Sequence, residues 1–248
     1  MLIKHLARII IIMPLLMFTT QVLNIKDRVL FAQTLTPHYG FGHDISWPQC
    51  NELHKLPKKV DFGIVGITGG SAYTQNPCLE EEYKWAQTTE SISVYMNLNI
   101  GGDDDREKGL HGPYGNCKDA DLNCQVSNYG YNAALDAYAY ARSKKVINEK
   151  MWWLDIEDLN PWSDDPMVNR KIIDGAVRFF KEKGVPIGIY STPILWHDIT
   201  ADYKNNLPAW PAIITESPAQ ECGTGFTGGK TYAVQYYQID LDKNFACG

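Results

Sequence analysis

The chain has 248 residues, of which 44% are hydrophobic and 21% are charged, and its formal net charge is −6. This composition is sufficient for one globular domain with a sizeable core. The acidic balance argues against a nucleic-acid-binding protein, because such proteins cluster Lys and Arg residues on one face. No internal repeat divides the chain, so we expect a single main domain that is a monomer.

The first segment is typical of a targeting sequence and not of a fold. Lys4 and Arg8 precede an apolar run over residues 9–18, as in secretory signal peptides and signal anchors. The run is shorter than the ~20 apolar residues that a membrane-spanning helix needs. We therefore predict a signal peptide or signal anchor over 1–32, a short linker over 33–40 and a folded domain over 41–248. The predicted location is extracellular, whether or not the leader is cleaved.

Six cysteines lie after this leader and none lies within it. An even number in the mature region predicts disulfides formed in an oxidising compartment. The close Cys pairs of a zinc site are absent from the sequence, so we predict no metal and no cofactor. Six cysteines allow 15 connectivities. Pairing of sequence neighbours predicts Cys50–Cys78, Cys117–Cys124 and Cys222–Cys247.

Segments with strand character alternate with helical segments along the rest of the chain. Strands are predicted over 43–47, 62–68, 91–99, 151–158, 186–192, 209–215 and 232–237. Helices are predicted over 79–89, 129–145 and 168–183, the last with Gly184 as its C-cap.

This alternation predicts a parallel sheet, either doubly wound or closed into a barrel. The number of strands in ~200 residues favours an α/β fold of the (β/α) TIM-like barrel type, with some helices shortened or missing. The polar, glycine-rich segment 101–130 is predicted to be a disulfide-closed loop on the active face.

The segment 151–158 contains two acids with strand spacing. Side chains in a strand alternate between faces, so Trp153, Asp155 and Glu157 are predicted to face the barrel interior. Active sites of such barrels lie at the carboxyl ends of the strands, which favours a catalytic role for these acids. Their mutual repulsion raises one pKa, as a general acid requires. The alternative is a structural salt-bridged pair at a strand end.

Further acids lie near both ends of the predicted domain. Asp44 is on the first predicted strand, while Asp240 and Asp242 follow the last one. Barrel closure brings the first and last strands together, so these carboxylates are predicted to converge on Glu157. Glycoside cleavage uses such a set, with one carboxylic acid to protonate the leaving oxygen and others to stabilise an oxocarbenium-like transition state.

The order of these motifs resembles glycoside hydrolase family 25. The resemblance extends from residue 41 to residue 247, nearly all of the mature chain, and its matching positions are Gly42, Asp44, Ser46, Gln49, Trp153, Asp155, Glu157, Gly188, Ile189, Tyr190, Gln235, Tyr236 and Asp240. The family contains secreted and phage lysozymes that cleave the β-1,4 bond between N-acetylmuramic acid and N-acetylglucosamine. The resemblance implies that Glu157 is the general acid, with Asp155 beside it and Asp44 and Asp240 as supporting carboxylates.

The third strand differs from the family pattern, which has an aromatic or His motif there. Strand parity predicts that Tyr95, Asn97 and Asn99 face inward and give an amide-lined pocket. The predicted substrate-binding residues are Tyr95, Asn97, Asn99, Trp153, Tyr190, Gln235 and Tyr236. Together with the six cysteines, this difference indicates a divergent, disulfide-containing branch.

The expected function is a secreted lysozyme acting on peptidoglycan or a related N-acetylhexosamine polysaccharide. Two alternatives stay open. One is a non-catalytic module on the same barrel that binds cell walls or carbohydrates. The other is a glycosidase for another N-acetylhexosamine polymer.

Overall fold

The structure is a computed structural model that describes residues 40–118, 120–236 and 241–247. The predicted leader over 1–32, nearly all of the predicted linker and Asp240 lie outside these residues. Within the described ranges, no helix is both long enough and apolar enough to cross a membrane.

Ten strands and four α-helices are present in the described residues. The strands are β1 (Phe41–Ile45), β2 (Phe62–Gly66), β3 (Ser91–Asn97), β4 (His111–Gly112), β5 (Gly115–Asn116), β6 (Trp152–Asp155), β7 (Ile187–Ser191), β8 (Ala209–Pro211), β9 (Ala233–Tyr236) and β10 (Lys243–Ala246). The helices are α1 (Leu79–Ala86), α2 (Leu122–Ser143), α3 (Pro166–Glu182) and α4 (Pro193–Thr200).

Eight of the strands form one sheet in the order β8-β7-β6-β3-β2-β1-β10-β9. All are parallel except β10, which pairs in antiparallel fashion with both β1 and β9. The two edges meet where Ala212 bridges to Gln235 and the Ile213 amide donates to the Gln235 carbonyl at 2.9 Å. The sheet is therefore a nearly closed barrel, and the predicted fold class is confirmed.

Helices cover the crossovers that follow β2, β3, β6 and β7, while 3-10 turns follow β1 and β8. Helix α3 illustrates how the sequence fixes the limits of an element. The Asp165 side chain accepts a hydrogen bond from the Met167 amide at 2.9 Å, and Pro166 occupies the first turn, both typical of a helix start. Gly184, just past the end, has φ +67°, as predicted for a C-cap.

The core has two layers that follow the strand alternation. Leu154 and Ile156 belong to the outer layer, which packs between the barrel and its helices. Trp153 belongs to an inner cluster with Tyr190 and Trp210. Trp153 lies two residues before Asp155, so this part of the inner cluster fills the barrel interior on the amino-terminal side of that carboxyl group.

Several predicted boundaries are corrected by the structure. Helix α2 begins at Leu122, because the Asp121 side chain caps it by accepting from the Cys124 amide. Only the first part of the predicted loop 101–130 is therefore irregular. Strand β3 ends at Asn97 and strand β8 is only three residues long. Helix α4 and strand β10 are absent from the sequence-based prediction.

The structure contains the three disulfides that sequence proximity predicts. Cys50–Cys78 connects the segment after β1 to the start of α1. Cys117–Cys124 connects the segment after β5 to the first turn of α2. Cys222–Cys247 connects the segment before β9 to the end of β10. Each bridge therefore holds a loop or a chain end against a regular element.

Candidate active site

Acids from separate parts of the chain meet at the carboxyl end of the barrel. Asp44 is the penultimate residue of β1 and Asp155 is the last residue of β6. Both side chains are buried, and the charge of Asp44 contributes to a raised pKa of Asp155. Glu157 lies two residues beyond Asp155 and is partly exposed. The predicted convergence of these three carboxyl groups is therefore present.

Asp155 and Glu157 are neighbouring carboxyl groups that lie within hydrogen-bonding reach of each other. Asp155 is only 5% exposed, and its Oδ2 accepts a hydrogen bond from Asn97 Nδ2. Its Oδ1 receives no conventional hydrogen bond from the described residues. Burial, and then the charge of Glu157, raises the pKa of Asp155 well above its ordinary value. The two carboxyl groups can therefore hold one proton between them.

The pKa of Glu157 is also raised, chiefly because burial disfavours its ionised form. The nearby charges of Asp158 and Asp242 raise it further, whereas the hydrogen bond from Asp155 lowers it. The pKa of both members of the pair is therefore raised, so the pair can hold a proton. The like-charge argument from the sequence predicted a raised pKa for one member of the pair.

Asp44 lies in a second carboxyl pair, with Asp242. Gln235 Nε2 donates to Asp44 at 3.1 Å, and Asn244 Nδ2 also donates to it. Burial, and then the charge of Asp242, raises the pKa of Asp44, while the two amide donors oppose that rise. The pair is positioned by strands β1, β9 and β10.

Asp242 is therefore the acid of the C-terminal group that the structure places beside Asp44. Its carbonyl oxygen lies 2.8 Å from His43 Nδ1, which makes the imidazole the donor. Asn244 has no role in the sequence-based prediction. Strand alternation from Asp242 to Asn244 is the signal that would have placed both on the inner face.

Most of the predicted substrate-binding residues line the same interior. Tyr190 Oη donates to Gln235 Oε1 at 2.7 Å, which orients the amide nitrogen of Gln235 towards Asp44. Asn97 Oδ1 accepts from Thr68 Oγ1 at 2.7 Å, so that its amide nitrogen faces Asp155. Tyr95 is partly buried beside the carboxyl groups, and desolvation, followed by the charges of Asp155 and Asp44, raises its pKa.

Trp153 lies below the carboxyl groups and not at the open mouth. It is 3% exposed, and its ring centroid is 5.6 Å from that of Trp210. Its indole nitrogen has no hydrogen-bond partner within the described residues. Gly188 packs directly on the indole, since a Cβ there would lie 2.3 Å from a ring carbon. Trp153 therefore forms the base of the pocket.

Asn99 and Tyr236 lie differently from the other predicted binding residues. Asn99 follows the end of β3, and its Oδ1 accepts from the Ala72 amide while its Nδ2 donates to the Ile100 carbonyl, each at 2.8 Å. Strand parity predicts that Tyr95, Asn97 and Asn99 all face the interior. The alternation stops at Asn97, because strand β3 ends there. Tyr236 is the last residue of β9 and is half-buried.

Sequence comparison gives two matches to lysozyme-like proteins. Residues 121–226 match the family model "Lysozyme-like protein 1". "Lysozyme-like protein 5" of Caenorhabditis elegans is 37% identical over 93 residues, which is 36% of this chain and 41% of that relative. The matched region therefore covers less than half of the relative's length.

Solved structures with the same fold cover most of the chain. A family GH25 lysozyme from Aspergillus fumigatus aligns with 85% of this chain and 95% of its own, at 16% identity and a TM-score of 0.54. The modular autolysin LytC from Streptococcus pneumoniae, in complex with a synthetic peptidoglycan ligand, aligns with 84% of this chain and 46% of its own, at 15% identity and a TM-score of 0.55.

The fold comparison and the sequence comparison point to the same group of proteins. It has the barrel of the family 25 lysozymes, and the predicted resemblance to lysozyme-like glycoside hydrolases is confirmed. Within that class, its sequence match is to the lysozyme-like proteins represented in Caenorhabditis elegans.

Proposed function

We propose that this chain is a secreted glycosidase that cleaves peptidoglycan as an N-acetylmuramidase. The observation that carries the proposal is the pair formed by Asp155 and Glu157, two neighbouring carboxyl groups with raised pKa values at the carboxyl end of the barrel. Facing it, Asp44 and Asp242 form a second carboxyl pair. One carboxylic acid together with nearby carboxylates is the set that glycoside cleavage requires.

Glu157 is the more exposed member of its pair and is proposed as the general acid. It gives its proton to the glycosidic oxygen as the bond to the anomeric carbon breaks, and Asp155 supplies the proton that Glu157 delivers. Water then adds its oxygen to the anomeric carbon, and its released proton returns to the carboxyl pair. Asp44 and Asp242 stabilise the positive charge that develops on the sugar.

The remaining predicted residues take supporting roles in this proposal. Tyr95, Asn97, Tyr190 and Gln235 orient the carboxyl groups and contact the sugar, with Tyr236 at the rim and Trp153 at the base. Asn99 is proposed to shape the pocket by holding the loops after β2 and β3. Asp240 stays a prediction from the family resemblance.

Secretion is part of the proposal. Three disulfides support an oxidising compartment, and residues 1–32 are proposed as the signal peptide or anchor that precedes the barrel domain at 41–248. The peptidoglycan ligand of the LytC structure supports the choice of substrate.

The test is hydrolysis of purified peptidoglycan, followed by turbidity and by mass spectrometry of the products. We expect fragments that end in reducing N-acetylmuramic acid. The variant Glu157→Gln should lose hydrolysis by ~100-fold or more, since its amide cannot donate the proton. The exposed Glu216→Gln on the segment after β8 is the matched control and should retain activity.

Three results would contradict the proposal. Retention of more than about a tenth of the wild-type rate by Glu157→Gln would exclude Glu157 as the general acid. Binding of peptidoglycan without any product would favour a non-catalytic wall-binding module. Cleavage of chitin oligosaccharides but not of peptidoglycan would favour a glycosidase for another N-acetylhexosamine polymer.

A further inference from the structure

A cleft of about 420 Å³ lies outside the carboxyl cluster, between the segment that follows β3 and the first two turns of α2. The proposed cleavage reaction does not use it. One wall includes Ile100, Gly101 and Asp105, and the other includes Leu122, Gln125 and Tyr129. The last three are spaced by three and four residues, so they share one face of α2.

The cleft adjoins the candidate active site. Helix α2 runs from the carboxyl end of β3 back to the start of β6, so its first turns lie at the edge of the barrel where Asp155 ends β6. The Ile100 amide donates to the Pro161 carbonyl at 3.1 Å. Pro161 is four residues beyond Glu157, so the lining of the cleft is joined directly to the loop that follows the proposed acid.

Tyr129 provides the second observation. It is 6% exposed, and its hydroxyl has no hydrogen-bond partner among the described residues. An unsatisfied buried hydroxyl is costly, so natural proteins retain one where a ligand or water completes it. Burial, and then the charge of Asp105, raises the pKa of Tyr129. The hydroxyl is therefore neutral, and it keeps a donor and an acceptor that no described residue satisfies.

The other polar groups of the cleft are mainly acceptors. Asp105 carries a partly exposed carboxylate, held by Lys108 at 2.6 Å. Gln125 Nε2 donates to the Lys118 carbonyl at 2.7 Å, so the oxygen of that amide is the end that can accept from a ligand. Acceptors of this kind suit a ligand that carries N–H groups.

The walls are fixed before any ligand arrives. The Cys117–Cys124 disulfide ties the preceding segment to the first turn of α2. Asn128 Nδ2 donates to the carbonyls of Gly109 at 3.2 Å and Gly115 at 2.9 Å. A pre-organised site loses less conformational entropy when it binds.

We infer that this cleft binds the peptide stem of peptidoglycan, which offers amide N–H donors, small apolar side chains and a free ammonium group. The N–H donors meet Asp105, Gln125 and Tyr129, while methyl groups pack on Ile100 and Leu122. The inference rests on the proposed function, because the stem is attached to muramic acid, the sugar whose bond is cleaved. The cleft thus recognises the peptide beside the scissile glycan.

The experiment compares peptide-bearing glycan oligosaccharides with the same oligosaccharides stripped of peptide by an amidase. The wild type should show a lower KM for the peptide-bearing substrate. Tyr129→Phe and Asp105→Asn should each reduce this preference by about fivefold to fiftyfold, as expected for lost hydrogen bonds, some of them to a charged group. Their kcat and KM on the stripped substrate should not change. Tyr131→Phe, on the same helix but bonded to Glu182, is the matched control.

A binding measurement separates this inference from the proposed function. Free stem peptide added to the wild-type protein should perturb NMR amide signals of residues 100–129, even if no glycan is cleaved. Turnover without a preference and without these perturbations would overturn the inference and leave the glycosidase intact. Perturbation by stripped glycan instead of peptide would make the cleft a sugar site and would also overturn it.

The melting temperature of the Tyr129→Phe variant tests whether the Tyr129 hydroxyl has a purely structural role. Because the hydroxyl has no partner within the described chain, its removal should leave the melting temperature unchanged or higher. Loss of peptide preference together with a clearly lower melting temperature would contradict the inference.

Discussion

Gln235 Nε2 lies 3.1 Å from both carboxylate oxygens of Asp44, joining the β9 strand to the β1 strand across the barrel interior. Tyr190 on β7 fixes the other end of the same amide. The orientation of Asp44 thus depends on three strands, two of which lie near the barrel seam. The charge that this carboxyl carries depends in turn on Asp242.

The pH dependence of activity should reveal the contribution of Asp242. Its charge raises the pKa values of both Asp44 and Glu157. In Asp242→Asn that charge is lost, so both pKa values should fall and the alkaline limb of kcat against pH should move to lower pH. Rate profiles of the two proteins on solubilised peptidoglycan test this. An alkaline limb at the same pH, or at higher pH, would contradict the coupling.

The amide variants of the first carboxyl pair should not lose stability. None of the ion pairs among the described residues includes Asp155 or Glu157. Asp155→Asn and Glu157→Gln should therefore melt at or above the wild-type temperature at neutral pH, while hydrolysis falls. Breaking a buried ion pair would instead cost about 3–5 kcal/mol. Clear destabilisation in both variants would favour the structural salt-bridge alternative.

Glu82 lies outside the candidate active site and should make stability depend on pH. It is fully buried on α1; Asn76 Nδ2 donates to its Oε2, and its Oε1 has no partner within the described residues. Burial raises the pKa of Glu82 from 4.5 to about 7. Because the pKa is raised on folding, the stabilising contribution is complete below the unfolded pKa and is lost as pH rises through the folded pKa.

The variant Glu82→Gln should remove the pH-dependent contribution of Glu82 to stability. The free energy of unfolding of the wild type should fall by about 3 kcal/mol more between pH 4.5 and pH 8 than that of the variant. Urea titrations at several pH values measure the difference. Glu80→Gln, an exposed residue on the same helix paired with Lys84, serves as the control. Equal pH dependence in wild type and Glu82→Gln would refute the assignment.

The three disulfides should contribute unequally. Their sequence separations are 28 for Cys50–Cys78, 7 for Cys117–Cys124 and 25 for Cys222–Cys247. Loop-closure entropy then predicts losses of about 3.5 kcal/mol on removing either long bridge and about 2.4 kcal/mol for the short one. Paired Cys→Ser variants and denaturant unfolding test the order. Two or more free thiols in non-reducing peptide maps of the purified protein would contradict the three-bridge assignment.

The sequence predicts the barrel well because its strands are apolar and alternate with helical segments. Strand β10 is missed because it is short, antiparallel and partly polar, so nothing in its local pattern distinguishes it from an exposed tail. Asn244 is missed with it. The row of inward residues on β3 is predicted one position too far, because local alternation cannot locate where strand pairing stops before Asn99.

The protonation state of the carboxyl pair also goes beyond local sequence. Spacing alone identifies Asp155 and Glu157 as neighbours on one face, and it therefore predicts repulsion between them. How far each pKa is raised depends on the burial of the two groups and, for Asp155, on the charge of Asp44, a residue from another strand. Such information exists only after the strands are assembled.

The seam between β8 and β9 predicts which part of the barrel opens first on heating. Strand β8 is three residues long, and its contact with β9 consists of isolated bridges, not a continuous ladder. Regions with few backbone hydrogen bonds open locally at lower free energy than the rest of a domain. Gln235 belongs to this seam and its amide is held by Tyr190 on the other side, so the first cooperative opening on heating would break the contact that orients Gln235 towards Asp44. Catalytic competence would then disappear below the temperature of global unfolding, while the disulfide-tied strands stay folded.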